Sequence, residues 1–267
     1  MKRIFLGLIA TIVTVSMLFS FVGCTKETPA ECFDYEIEGN HIIITGLVKT
    51  DLEKIVIPER IEGSFVTEIA EDAFRECTNL ISVTIPDSVT KIDEDVFEDC
   101  TGLVEVIIPD SVKEIGESAF SGCTSLTSVI IPNGVTEISY RAFADCTSLT
   151  SITIPEGVTR ISGSFEGCTS LTSVTIPDGI TEITGFSGCT SLKSVVIPVS
   201  VTKIGPYAFS DCTSLASITI PDSVTAIGMY AFLGCTNLTN VTIPDSVESI
   251  GWGAFEGTGV KLPERFN

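Results

Sequence analysis

Eight cysteines are the residues of this 267-residue chain whose type and spacing could carry chemistry. Cys77, Cys100, Cys123, Cys146, Cys168, Cys189, Cys212 and Cys235 follow one another at steps of 23, 23, 23, 22, 21, 23 and 23 residues. Thiols in an exported chain invite a disulfide or a zinc site. Geometry argues against both. Equivalent residues in stacked coils lie about 4.8 Å apart and point the same way, whereas a disulfide needs facing Cβ atoms about 3.8 Å apart. Zinc needs four ligands that converge, not a row. The row reads as buried thiols packing as small hydrophobes, with Cys32 outside it. A second row is acidic: Asp87, Asp110, Glu156, Asp178, Asp222 and Asp245, broken by Asn133 and Val199. Calcium would need six or more converging oxygens, and these carboxylates follow proline in a turn, so the row reads as turn chemistry. His41, the single histidine, sits in a strand-like stretch and reads as structural. The chain has no G-x-S-x-G and no H-E-x-x-H, and we expect no catalysis, cofactor or metal.

The elements that must position these rows are set by the same beat. Nine Ile-Pro pairs, with prolines from Pro58 and Pro86 to Pro244, step by 28, 23, 23, 23, 22, 21, 23 and 23 residues. A fixed period of this length means a stacked repeat. In the coil from Leu149 to Cys168, Leu149, Ile152 and Ile154 face inward. Ser151 and Thr153 alternate with them and face out. Pro155 cannot donate to a strand ladder and ends the strand. Pro-Glu-Gly reads as a turn with proline at its second position. Val158 and Ile161 begin the opposite wall; Phe165 and Cys168 close the coil. About seven inward side chains at roughly 1.5–3 kcal/mol each cannot offset the ordering of a lone coil at about 1–2 kcal/mol per residue. The coils are therefore stable only as a capped array. The expected fold is mainly β: one long parallel sheet of nine strands, roughly 40 Å long, with short turns or 3-10 segments on the opposite wall.

The N-terminus carries Lys2 and Arg3, then an uncharged apolar run from Ile4 to Val22. This is a secretion signal, and the run is also long enough to serve as an uncleaved anchor. Phe21-Val22-Gly23-Cys24 resembles the bacterial lipoprotein box, with Phe21 where the box prefers Leu. Lipidation at Cys24 and membrane attachment through that lipid follow from it. The net charge of −20 becomes −22 on loss of those two cations and excludes nucleic acid and anionic lipid as partners. Residues 1–23 are read as the signal, 24–32 as lipidated cysteine and tether, 33–51 as a β-hairpin N-cap, 52–257 as repeats and 258–267 as a C-terminal cap; Lys261, Arg265 and Phe266, together with Trp252 of the last repeat, are read as covering the open end. Glu59 to Phe65 reads as a protruding loop.

Two irregularities bear on function. The outward strand positions are mostly Ser or Thr, Thr153 among them. In the early coils they are Val56, Ile81, Val104, Ile107 and Ile130, an apolar face that could contact a partner or simply suit β-structure. ISGSFEGC and ITGFSGC are one and two residues shorter than ISYRAFADC, which would pinch the wall before Phe165 and Phe186 into a bend or a binding notch.

The pattern I-G-x-x-A-F-x-x-C-T-S-L-T-S-V-x-I-P-x-S-V-T, clearest from Ile204 to Thr225 and from Ile227 to Val247, resembles the BspA-like leucine-rich-repeat surface proteins. The I-x-G-x-x-V-T-x-I run from Ile61 to Ile69 is similar too, and the likeness spans residues 33–262. It implies a leucine-rich-repeat solenoid on a bacterial, surface-exposed or secreted protein, with a protein ligand such as host extracellular matrix. The leading functional expectation is a surface-anchored, adhesin-like binding module. A structural cell-envelope spacer and a glycan-binding module remain as alternatives.

Overall fold

The computed structural model describes residues 26–266; the signal region and Cys24 lie outside them. The chain winds as a solenoid of about nine turns, built almost wholly from short strands and turns. Each turn presents three walls. The front wall carries three-residue strands, the back wall two-residue strands, and the third wall carries the phenylalanines.

The winding starts with β1 (Phe33–Glu38) and β2 (His41–Leu47), an antiparallel hairpin. Its tight turn uses Gly39 at φ 63°, a left-handed conformation that suits glycine. β3 (Lys54–Val56) is the first front strand. β4 (Arg60–Ile61) and β5 (Ser64–Ile69) form a second hairpin. The stretch read from sequence as a loop is therefore ordered, and the Arg60 guanidinium lies 3.3 Å from the centre of the Phe65 ring. β2 runs parallel to β5 and so opens the back ladder. That ladder continues through Lys91–Ile92, Glu114–Ile115 and Glu137–Ile138, ending in a single bridge from Ile138 to Ile161. It begins again at Glu182–Ile183 and runs through Lys203–Ile204 and Ala226–Ile227 to Ser249–Ile250.

The front wall is parallel throughout but comes in three segments instead of one continuous sheet. β3 pairs with Ser82–Thr84 and that strand with Glu105–Ile107; Ser151–Thr153 pairs with Ser173–Thr175; and Ser194–Val196, Ser217–Thr219 and Asn240–Thr242 form the last. A rung three residues long, ended by proline, has few hydrogen bonds with which to resist an offset between coils. The offset is visible on the phenylalanine wall. Successive rings stack at 5.1–5.2 Å from Phe74 to Phe143, then at 5.6–5.8 Å from Phe143 to Phe232. The wider steps exceed the roughly 4.8 Å strand spacing. The wider spacing starts at the shortened coils and persists between the full-length coils of Phe209 and Phe232.

The proline turns differ from the sequence reading in one respect. Val158 N–H donates to Pro155 O at 3.0 Å, and the same bond recurs at Val89, Val112, Val135, Ile180, Val201, Val224 and Val247. Proline is therefore the first residue of the turn, not the second. Its missing N–H stops the ladder while its carbonyl closes the turn, so one residue does both jobs.

The interior is a column of Leu, Ile, Val, Cys and Phe, with the phenyl rings from Phe74 to Phe232 fully buried. At the C-terminal end, Thr258 takes the cysteine position and its hydroxyl donates to Phe255 O at 2.7 Å. Arg265 reaches back to Asp245 at 3.0 Å and to Pro244 O at 2.8 Å. Trp252 does not cover the end as the sequence suggested: it is 71% exposed and packs edge-on against Tyr230, with ring centres 5.0 Å apart.

Candidate functional site

The cysteine row runs down the interior. All eight thiols are buried and free, and so is Cys32. From Cys100 onward each S–H points at the carbonyl of a phenylalanine in the preceding coil, Cys100 to Phe74, Cys123 to Phe97 and so on to Cys235 and Phe209, at 3.0–3.3 Å. Burial pushes the thiols of Cys100, Cys168 and Cys235 up to about 12 and raises Cys123, Cys146, Cys189 and Cys212 as well. A thiol that resists ionisation and has no solvent path is a poor nucleophile and a poor ligand. The row is structural. The turn acids are exposed. Among the described residues no group of His, Cys, Asp and Glu converges to hold an ion.

The outward positions of the front wall are a different matter. Each coil contributes three, because a strand that buries its central residue turns its neighbours to solvent. In the coil of Glu105–Ile107, Val106 is buried while Val104, Glu105 and Ile107 face out. Stacking lines these positions into columns. One column holds Ile81 and Val104 on successive coils, both exposed. Another holds Val56, Thr84, Ile107, Ile130, Thr153, Thr175 and Val196. Val56 and Ile107 are half-buried, Thr153 is exposed, and Ile130 is 82% exposed. The structure thus brings Val56, Ile81, Val104, Ile107 and Ile130 onto one face, with Thr153 continuing the column into its hydroxyl-bearing half.

Sequence reasoning missed the second apolar spot on this wall. Val196 is 80% exposed in the same column, and Val199, the second residue of the following turn, is exposed too. The signal was present: both valines stand where neighbouring coils carry Thr and an acid. An exposed isoleucine forgoes about 1.5–3 kcal/mol that burial would supply, so the face gains when a partner covers it.

Stacked coils with parallel front strands, a repeating Leu and a phenylalanine spine define a leucine-rich-repeat solenoid. The chain belongs to the family described as the BspA type leucine-rich-repeat region, whose model matches residues 47–164 and 162–264 in six copies. Among solved structures it is similar to a leucine-rich-repeat protein of T. pallidum, at 33% identity and a TM-score of 0.67 over 71% of this chain and 91% of that one. A leucine-rich-repeat protein from Bacteroides ovatus is 28% identical with a TM-score of 0.72, covering 88% of this chain and 81% of that one. A leucine-rich cell surface protein from Faecalibacterium prausnitzii is 28% identical with a TM-score of 0.58, covering 90% and 83%. Comparison with curated proteins gave no match.

Proposed function

We propose that this protein is an exported recognition module, held at the cell surface by lipid on Cys24, that binds a protein partner through its front wall and performs no catalysis. The observation that carries the reading is Ile130, 82% exposed beside Ile107 and Val104 on the three-column front face. Such a contiguous apolar patch on a rigid scaffold is the usual mark of a contact surface. The acidic surface supports a protein partner over nucleic acid or anionic lipid. Similarity to a cell surface protein supports the location, as does the Gly23-Cys24 pair after the apolar run.

Immobilised fibronectin and fibrinogen are the first probes, because the family resemblance implies host matrix as partner. Saturable binding by the full chain is expected, falling at least tenfold when Ile107→Asp and Ile130→Asp are combined. No saturable binding, together with an envelope defect on deletion of the gene, would favour an envelope spacer instead. For the anchor, metabolic labelling with a radioactive fatty acid should mark the wild type and not Cys24→Ala.

A further inference from the structure

The shortened coils cut a notch into the wall opposite the front face. In a regular coil, three residues stand between the back strand and the Ala-Phe pair: Ser139 to Arg141 before Ala142-Phe143, and Gly205 to Tyr207 before Ala208-Phe209. In the two coils between, this projection shrinks to Ser162-Gly163 before Ser164-Phe165 and to Thr184-Gly185 directly before Phe186. The result is a cleft of about 510 Å³ with Tyr140 on one side, Pro206 and Tyr207 on the other, and glycine backbone as its floor. That volume falls within the roughly 300–1,000 Å³ typical of small-ligand sites. Both tyrosines are about half exposed. They stand three coils apart, on a wall whose steps are 5.6–5.8 Å.

Two features show that the floor depends on glycine. Gly163 has φ 66° and Gly185 φ 93°, where a side chain is strained. A Cβ on Gly163 would lie 2.8 Å from the Tyr140 ring, and one on Gly185 would lie 2.7 Å from Gly163 N. The floor is also polar in an unusual way. In regular coils the projecting N–H groups bond to the next coil: Asp95 N to Glu117 O, Ser118 N to Tyr140 O, Tyr207 N to Met229 O and Tyr230 N to Trp252 O, at 2.9–3.1 Å. That ladder lapses at the notch, where the N–H groups of Gly163, Thr184 and Gly185 have no protein acceptor among the described residues. The hydroxyl of Ser187 and the carboxylate of Glu166 line the same cleft. No Lys or Arg lines the cleft, and Arg141, next to Tyr140 in the chain, is already engaged by Asp145 at 2.9 Å and Glu166 at 3.5 Å.

We propose that this notch is a second binding site, independent of the front wall, for a short stretch of neutral glycan. A pyranose ring has an apolar C–H face that packs on a tyrosine ring. Its rim of hydroxyls both donates and accepts, which matches N–H donors, side-chain hydroxyls and one carboxylate on a single floor. An anionic sugar or a phosphate finds no free cation here and meets a chain of net charge −20. A proline-rich peptide would also stack on tyrosines but has no donor along its proline residues for Glu166.

The test is an array of neutral α- and β-linked hexose and N-acetylhexosamine trisaccharides, printed with sialylated and sulfated counterparts and with proline-rich peptides. The full chain is applied in a detergent that is not itself a glycoside. Retention on neutral spots is expected, with Tyr140→Ala and Tyr207→Ala each weakening it at least tenfold while far-UV circular dichroism stays unchanged. Inserting Arg-Ala before Phe186, which restores the projection of a regular coil, should abolish retention, whereas Ile130→Asp should leave it untouched. The proposal is overturned if no neutral spot is retained, if only acidic glycans or proline peptides are, or if the tyrosine variants bind as the wild type does.

Discussion

Burying a thiol is inexpensive at neutral pH and becomes costly in alkali. In the folded protein, loss of water around the cysteine row holds Cys100, Cys168 and Cys235 up to about 12, with the others in the interior raised too. In the unfolded chain the same groups ionise near about pH 8.5–9. Above that point the native state binds more protons than the unfolded state, so stability falls as pH rises. The contribution is complete below about pH 9 and is lost up to about pH 12, at about 1.4 kcal/mol per pH unit for each buried thiol. The melting temperature, followed by circular dichroism, is therefore expected to be flat from pH 7 to 8.5 and to drop steeply from pH 9 to 10.5. Replacing Cys123 and Cys146 together by Ala should flatten that drop; an unchanged slope would mean the thiols are not what titrates. The cysteine row was legible in the sequence because its period matched the prolines. The residue before each cysteine was also informative. It adopts φ of 55–73° before all eight and is Asp, Gly or, once, Glu76. Aspartate and glycine alternate there because a left-handed position disfavours most side chains.

At the scale of the element, each coil hangs on small local substitutions. In regular coils the N–H after the back strand donates to the isoleucine carbonyl one coil earlier, as Gly205 does to Ile183 at 2.8 Å and Gly228 to Ile204 at 2.7 Å. The shortened coils replace this with hydroxyls. Thr184 Oγ1 donates to Ile161 O at 2.6 Å. Ser164, fully buried, accepts from Ser162 N at 3.3 Å and donates to Ser139 O at 3.1 Å. Thr184→Val keeps the shape and removes the donor, leaving the Ile161 carbonyl without it. A loss of about 1–3 kcal/mol is expected, read as a lower urea midpoint with unchanged slope. A change of a few tenths would show that solvent satisfies the carbonyl instead. Sequence could foretell that coils exist, where proline stops each strand and which side chains point in, because those follow from a period and a few residue types. It could not foretell the placement of proline at the first turn position, the hairpin at Arg60–Ile61 and Ser64–Ile69, or the breaks in the front wall. Proline's place in the turn rests on a backbone bond, the hairpin on an insertion particular to the first repeat, and the breaks in the front wall on how neighbouring coils align, which no single residue encodes. The notch lay between the two: the missing residues were countable, but its tyrosine walls belong to coils on either side of the deletion.

Across the whole molecule, stability is a sum of coil terms and interface terms, because each coil touches only its neighbours. The interfaces are not equal. The back ladder lapses between Ile161 and Glu182–Ile183, and the front wall lapses between Ser173–Thr175 and Ser194–Val196. No strand pairing therefore crosses from residues 26–176 to residues 182–266. What joins them is the packed apolar column, with its phenyl stack from Phe165 to Phe186 at 5.6 Å, the bonds from Phe165 N to Gly185 O and from Gly167 N to Ser187 O, and side-chain bonds such as those of Thr184 and Cys189. An interface stripped of both ladders couples its two sides weakly, so the array is expected to unfold as two cooperative units meeting at the shortened coils. The single tryptophan, Trp252, reports on the C-terminal unit alone, while far-UV circular dichroism reports on both. In a urea titration the two signals should not coincide. Ile92→Ala, a fully buried position in the N-terminal unit, should move the circular dichroism transition and leave the tryptophan midpoint in place. Hydrogen exchange followed by mass spectrometry should then show two opening free energies, divided near Pro177. Coincident transitions that shift together in Ile92→Ala would mean that the packed interior transmits cooperativity along the full length, and the seam would be no more than a change in hydrogen-bond pattern.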